Sequence, residues 1–301
     1  MRILISGASG LIGTHLIRRF TAEGHQAVRL VRRNVRDRNS EIRWDPAREI
    51  IDADALTRHK FDAVVNLSGR SIAGIWTPRH KRLLHSSRIE TGCFLATTLG
   101  MMPTPPPVYI SMSAVGFYGD RGDDPLTDAS PGGTGFMAEL CREWEGAADP
   151  AREAGIRVIH PRLGIVLAQD GGFLSPLLPL FTMGLGAEVG DGRQWVSWIH
   201  MEDVISALLH LATASGLSGP VALVSPEPVT MSTLTQALGK QLDRPVPFRI
   251  PRFLVNLLPG GMGKELLLGS QRVQPDTLLR SGFVFSYPRL EAALSNLFPN
   301  M

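Results

Sequence analysis

The chain has 301 residues, 44% of them hydrophobic and 20% charged, enough apolar material for a sizeable core and too much for a disordered chain. Thirty-one basic residues against 28 acidic ones leave a net charge of +3, too small and too evenly spread to argue for a nucleic-acid partner. Two cysteines, Cys93 and Cys141, supply neither a disulfide framework nor a four-ligand zinc site, and they suit a reducing, cytoplasmic compartment.

The first predicted strand is 2–6, followed by a glycine turn and a helix over 11–23 with apolar residues at Leu11, Ile12, Leu16, Ile17 and Phe20. Arg2 leads straight into this strand, which is not the pattern of a signal peptide. Further strands are expected at 26–31, 61–67, 108–113 and from 156. Helical patterns run over 81–99 and 136–153. The alternation predicts a parallel sheet covered on both faces. The apolar stretch 173–185 is broken by Pro176, Pro179 and Gly184 and cannot span a bilayer. Beyond about 165 the alternation fades into a glycine-rich stretch. A strand at 195–199 and a helix at 202–213 follow, then proline-separated helices over 245–301. The predicted division is a Rossmann domain over 1–165 plus about 196–225, with a smaller C-terminal lobe from 166–195 and 226–301.

The turn reads Gly7-Ala8-Ser9-Gly10-Leu11-Ile12-Gly13. The first glycine permits the tight turn, the second lets a pyrophosphate approach the backbone, and the third lets helix pack on sheet. The helix N-terminus presents N–H groups to the phosphates, and Ser9 can add a hydroxyl. A carboxylate at the end of the second strand would select NAD through its ribose hydroxyl. The strand ends instead in Leu30-Val31-Arg32-Arg33. Arg32 can pair with a 2′-phosphate, so the expected cofactor is NADP(H).

The motifs Gly7–Gly13, Asn66-Leu67-Ser68-Gly69, Ser111-Met112-Ser113-Ala114 with Tyr118-Gly119, and Trp198-Ile199-His200 with Asp203 resemble an extended short-chain dehydrogenase/reductase. The similarity is to the sugar-nucleotide epimerase/dehydratase superfamily. Stretches 113–120, 190–200 and 248–294 are similar to its atypical epimerase-like branch, which carries a C-terminal domain of unknown function. The resemblance implies a doubly wound Rossmann fold, with Asn66, Leu67, Ser68 and Gly69 along the cofactor and Arg88 facing it. It also implies a tyrosine with a lysine four residues later for proton transfer, and a serine for the oxyanion. Ser113 matches the serine.

The pair itself is absent. The chain has four lysines (Lys60, Lys81, Lys240, Lys264) and three tyrosines. Four residues after Tyr109, Tyr118 and Tyr287 stand Ser113, Gly122 and Glu291. Where the pair is expected the chain has Phe136 with Leu140, or Met137 with Cys141. Tyr118 becomes the candidate acid beside Ser113. Trp76, Arg142, Trp198 and His200 are candidate substrate residues. No cluster has metal-ligand spacing. The expectation is an NADP(H)-dependent oxidoreductase or epimerase-like enzyme acting on a small polar or nucleotide-linked molecule. The alternative is a non-catalytic NADP(H) sensor or scaffold.

Overall fold

A computed structural model describes residues 1–299. In chain order, β1 (Arg2–Ser6) leads into α1 (Leu11–Ala22), β2 (Gln26–Val31), β3 (Glu41–Asp45), β4 (Ile50–Ile51) and α2 (Ala53–Arg58). Next come β5 (Ala63–Asn66), α3 (Pro78–Ser86), α4 (Ile89–Gly100), β6 (Val108–Ser111), β7 (Ser113–Ala114) and β8 (Pro125–Leu126). Then follow α5 (Phe136–Gly146), α6 (Asp149–Glu153), β9 (Arg157–Leu163), β10 (Ile165–Leu167), α7 (Leu178–Thr182) and β11 (Ala187–Val189). β12 (Trp195–Val196), β13 (Trp198–His200), α8 (Met201–Thr213), β14 (Gly219–Leu223), β15 (Val229–Thr230) and α9 (Met231–Gln241) return the chain to the first layer and leave it again. The last elements are β16 (Phe248–Ile250), α10 (Arg252–Asn256), a π-helical turn Gly263–Leu267, β17 (Arg272–Val273), α11 (Asp276–Arg280) and α12 (Leu290–Leu297).

Nine strands form one sheet in the order β14-β9-β6-β5-β1-β2-β3-β4, with β7 beside β9. Every pairing is parallel except β3 with β4. The chain winds outward from β1 through β2, then crosses back to β5 on β1's other side. The crevice at the ends of β1 and β5 is therefore the topological switch point, where ligands of such sheets bind. The central strands are buried on both faces, which explains their continuous apolar runs. Helices α1 and α8 pack on one face, contributing Leu16, Phe20, Val204, Leu208 and Leu211. Leu95, Leu99, Ala148 and Ala151 from α4, α6 and the turn before α6 cover the other.

The predicted helix 81–99 is two helices, α3 and α4, broken at Ser87 and Arg88. The predicted 136–153 helix is likewise interrupted at Ala147 and Ala148. A separate apolar core joins Leu174, Phe181, Trp198, Leu234, Leu238, Leu294 and Phe298. Among the described residues no helix is long and apolar enough to cross a membrane.

Candidate active site

The glycine turn sits at the switch point, and two of its three glycines, Gly7 and Gly13, are sterically required. A Cβ on Gly7, whose φ is +67°, would stand 2.5 Å from the Leu67 carbonyl oxygen. One on Gly13 would stand 2.6 Å from the Gly7 oxygen. Gly10 caps α1 without any side chain, so the helix begins with uncapped N–H groups beside exposed Ser9. Leu11 is half-buried with its side chain against Gly171 and Gly172, which leaves it and Ile12 only their backbone N–H to offer a ligand. This cradle fits a dinucleotide pyrophosphate.

At the end of β2 the arginines divide. Arg33 makes a two-pronged pair with Glu41, at 2.8 and 2.6 Å, and Arg29 reaches the same carboxylate at 3.0 Å. With the Arg36 backbone N–H also donating, Glu41 is held well below the usual carboxylate range, at about 2. This partner was not singled out from the sequence, because it lies on a strand whose pattern is too polar to stand out. Its effect is to hold Arg29 and Arg33 together and cancel one of their two charges. Arg32 stays exposed with no ion pair among the described residues.

The loop after β5 holds one correction. Asn66 was expected along the cofactor, but its side chain is buried and hydrogen-bonded inward at both amide atoms. Its Oδ1 accepts from Ser6 Oγ at 2.5 Å and from the Ser68 N–H at 3.1 Å, while Nδ2 donates to Tyr109 Oη at 2.9 Å. Asn66 shapes the Leu67-Ser68 turn against Gly7 and does not reach outward. Gly69 is exposed, and a Cβ on it would stand 3.3 Å from the Arg88 guanidinium carbon. Arg88 is buried over the Trp144 ring, with donors to Arg70 O at 2.8 Å and Leu84 O at 3.3 Å. Burial lowers it to about 10, and no carboxylate pairs with it among the described residues. A buried cation without a counter-charge is costly, and an anionic group of a bound dinucleotide would satisfy it.

Ser113 lies one strand further along the same edge. Its Oγ donates to Glu145 Oε1 at 2.7 Å. Glu145 also accepts from Arg162 Nε at 2.8 Å and Nη2 at 2.9 Å. Arg162 Nη1 donates to Tyr118 Oη and to Asp128 O, both at 3.1 Å. The guanidinium stacks on Phe117, 3.4 Å from the ring centroid. Tyr118 was the candidate acid, and the structure corrects this. Its side chain has no exposed surface, its oxygen accepts from Arg162, and burial raises its pKa. It braces the network. Cys141 is also buried, with its thiol pushed up to about 12 by desolvation, so it is an inert filler.

Trp198 and His200 lie elsewhere, while Arg142 sits near Phe117. Trp198 is fully buried in the second core and its indole N–H donates to Glu227 O. His200 caps α8, its Nδ1 accepting from the Glu202 N–H, with its ring 4.0 Å from that of Tyr287. Arg142 is exposed and ties α5 to the Gly133 carbonyl at 2.8 Å. Trp76 packs in the same apolar cluster as Ala114, the neighbour of Ser113. It is buried behind a half-exposed apolar wall, packed edge-on against Phe136 with ring centroids 5.0 Å apart. Lys81 Nζ lies 4.5 Å from the Phe136 centroid. Ile72, Phe117, Met262 and Leu266 complete the wall. Glu265, from the π-helical turn, caps α5, accepting from the Phe136 and Met137 N–H groups at 3.1 and 2.8 Å. No sequence pattern links residues so far apart, so Glu145 and Arg162 escaped the sequence reading, and Glu265, within the 248–294 resemblance, carried no sign of its contact with α5.

Comparison with known proteins agrees with this geometry. Residues 3–222 match the NAD dependent epimerase/dehydratase family, and residues 250–297 match a domain of unknown function, DUF1731. An epimerase family protein of Mycobacterium leprae is 41% identical over 294 residues, covering 97% of this chain and 94% of the relative. The chloroplastic SDR39U1 homolog of Arabidopsis thaliana is 33% identical, covering 98% of this chain and 86% of that protein. Human epimerase family protein SDR39U1, solved with NADPH, superposes with a TM-score of 0.87 at 29% identity over 100% of both chains. UDP-glucose 4-epimerase of Thermotoga maritima, at 16% identity and a TM-score of 0.76, shares the fold. A Rossmann sheet with its glycine cradle at the switch point, followed by the C-terminal unit that caps α5, thus places this chain in the NAD dependent epimerase/dehydratase family with a DUF1731 domain at residues 250–297.

Proposed function

We propose that the protein is an NADP(H)-dependent oxidoreductase that works without the tyrosine-lysine pair. The observation that carries this reading is the sorting of the arginines. Glu41 engages Arg29 and Arg33 and leaves Arg32, without an ion pair among the described residues, at the strand end where a 2′-phosphate would lie. The human SDR39U1 structure with NADPH supports the same choice. Gly7, Ser9, Gly10, Leu11, Ile12 and Gly13 would hold the pyrophosphate, chiefly through backbone N–H groups. Leu67, Ser68, Gly69 and Arg88 would flank the rest of the cofactor. When bound, the nicotinamide supplies a hydride. Ser113 would stand beside the reacting oxygen, its own proton directed to Glu145. The cofactor-binding part comprises 1–165 with 196–225, and 166–195 with 226–301 form the substrate lobe. The partner is a small molecule, and the two unpaired thiols suit the cytoplasm.

The test is cofactor titration. NADPH should bind more tightly than NADH, and Arg32→Asp should remove that preference. A charge-assisted contact is worth about 1.5–3 kcal/mol, so NADPH affinity should fall at least tenfold while NADH affinity changes little. Equal losses for both cofactors would refute the assignment. A second reading, a sensor that binds NADP(H) without turnover, is favoured by Ser113 being committed to Glu145. It requires that bound NADPH stay unoxidised across aldehydes, quinones and nucleotide sugars.

A further inference from the structure

The wall beside Ser113 carries information about the substrate. Ile72, Phe117, Phe136, Met262 and Leu266 are half-buried and pack in one apolar cluster with Ala114, the neighbour of Ser113, and with buried Trp76.

The proton chemistry agrees. Hydride addition to a sugar ketone makes an alkoxide, whose conjugate acid is about as weak as water. Such a step needs a positioned proton donor. The donor pair is missing here, Tyr118 is sealed against Arg162, and the Ser113 hydroxyl points its proton at Glu145. Hydride addition to a quinone makes the monoanion of a hydroquinone, a phenol-type group with a pKa of about 10, as for tyrosine. Water can protonate it afterwards.

We infer that this wall takes a planar, apolar carbonyl compound of the quinone class rather than a nucleotide sugar. The inference rests on the NADP(H) reading above. In the step, NADPH gives one hydride, two electrons and a proton, and becomes NADP+. The quinone becomes the hydroquinone monoanion and takes its second proton from solvent. Lys81, beside Phe136, supplies positive charge toward the oxygen that becomes anionic.

The probe is 9,10-phenanthrenequinone, which has no vinyl carbon for the exposed Cys93 thiol to attack. Calorimetry on the NADP+-loaded protein should show quinone binding at least tenfold tighter than UDP-glucose. Met262→Glu and Ile72→Asp place a carboxylate on opposite sides of the wall. Each should weaken quinone binding at least tenfold and leave the NADP+ Kd within twofold. Circular dichroism checks that each variant is folded, and either one suffices. Single-turnover oxidation of bound NADPH by the quinone should be flat with pH across the neutral range. Tighter binding of UDP-glucose, no quinone binding by the loaded wild type, unchanged binding in a folded variant, or a rate that falls tenfold per pH unit would each overturn the inference. Failure to bind NADP+ at all would instead overturn the cofactor reading.

Discussion

Removing the Glu145 side chain should expose how much the buried network contributes. Arg162 is 4% exposed in its side chain and Glu145 14%, so the pair is largely withdrawn from water. In Glu145→Ala the guanidinium keeps Tyr118 Oη and Asp128 O, both on Nη1. Nε and Nη2 lose their acceptor, and the charge is left uncompensated. Breaking a buried pair on one side costs about 3–5 kcal/mol. The double variant Glu145→Leu with Arg162→Met removes the charge together with its need for a partner. It should lose less stability than Glu145→Ala alone. Urea denaturation followed by far-ultraviolet circular dichroism measures both. A loss below about 1 kcal/mol in the single variant, or a double variant that costs the sum of the two single losses, would refute the reasoning.

Gly13→Ala forces a methyl group within 2.6 Å of the Gly7 oxygen and 2.9 Å of the Ala8 Cα, so the turn must open. It should cost about 1–3 kcal/mol of stability and abolish measurable NADPH binding, as read by fluorescence titration. His200 is held near 4 by burial, against an ordinary value of about 6.5. The unfolded chain then binds more protons, so stability is complete above about pH 6.5 and declines toward pH 4, by roughly 3 kcal/mol at most. His200→Asn keeps an α8 cap and should flatten that decline in thermal melts. A curve unchanged in shape would reject the role. Glu265→Ala removes two N–H acceptors from the first turn of α5 and should cost about 0.5–2 kcal/mol. Hydrogen exchange at Phe136 and Met137 should rise, while amides in β1 stay protected.

The first half of the fold was largely legible because its signals are local. The 2–6 and 26–31 strands and the helix from Leu11 match the structure closely. Glycine spacing between a predicted strand and a predicted amphipathic helix pointed to the cradle. Short β3 and β4 were missed: an exposed Arg43 breaks the pattern of the first, and the second has two residues. The candidate site was legible only in part. The absence of the proton-transfer pair could be counted from the chain itself. What stands in its neighbourhood could not, because Ser113, Glu145 and Arg162 meet through β7, α5 and β9, and no periodicity encodes that meeting. Trp198 and His200 misled for the same reason. A tryptophan and a histidine beside a strand-helix junction read as a site, yet one fills a core and the other caps a helix.

The C-terminal residues stitch back into the first layer at several points. β17 pairs with β8, the Ser197 hydroxyl donates to Gln271 O, and the Asp128 carboxylate accepts from the Ala222 and Thr277 N–H groups. Together with Glu265 on α5, these links set an order of assembly. The cradle at Gly7–Gly13 can form early in synthesis, while the loop between β7 and α5 must wait for residues beyond 260 before its hydrogen bonds close. A ribosome-bound chain stalled before that point should be able to hold nucleotide against β1 but have an unfinished wall beside Ser113. The last fifth of the chain therefore completes the hydrogen bonding of the loop between β7 and α5.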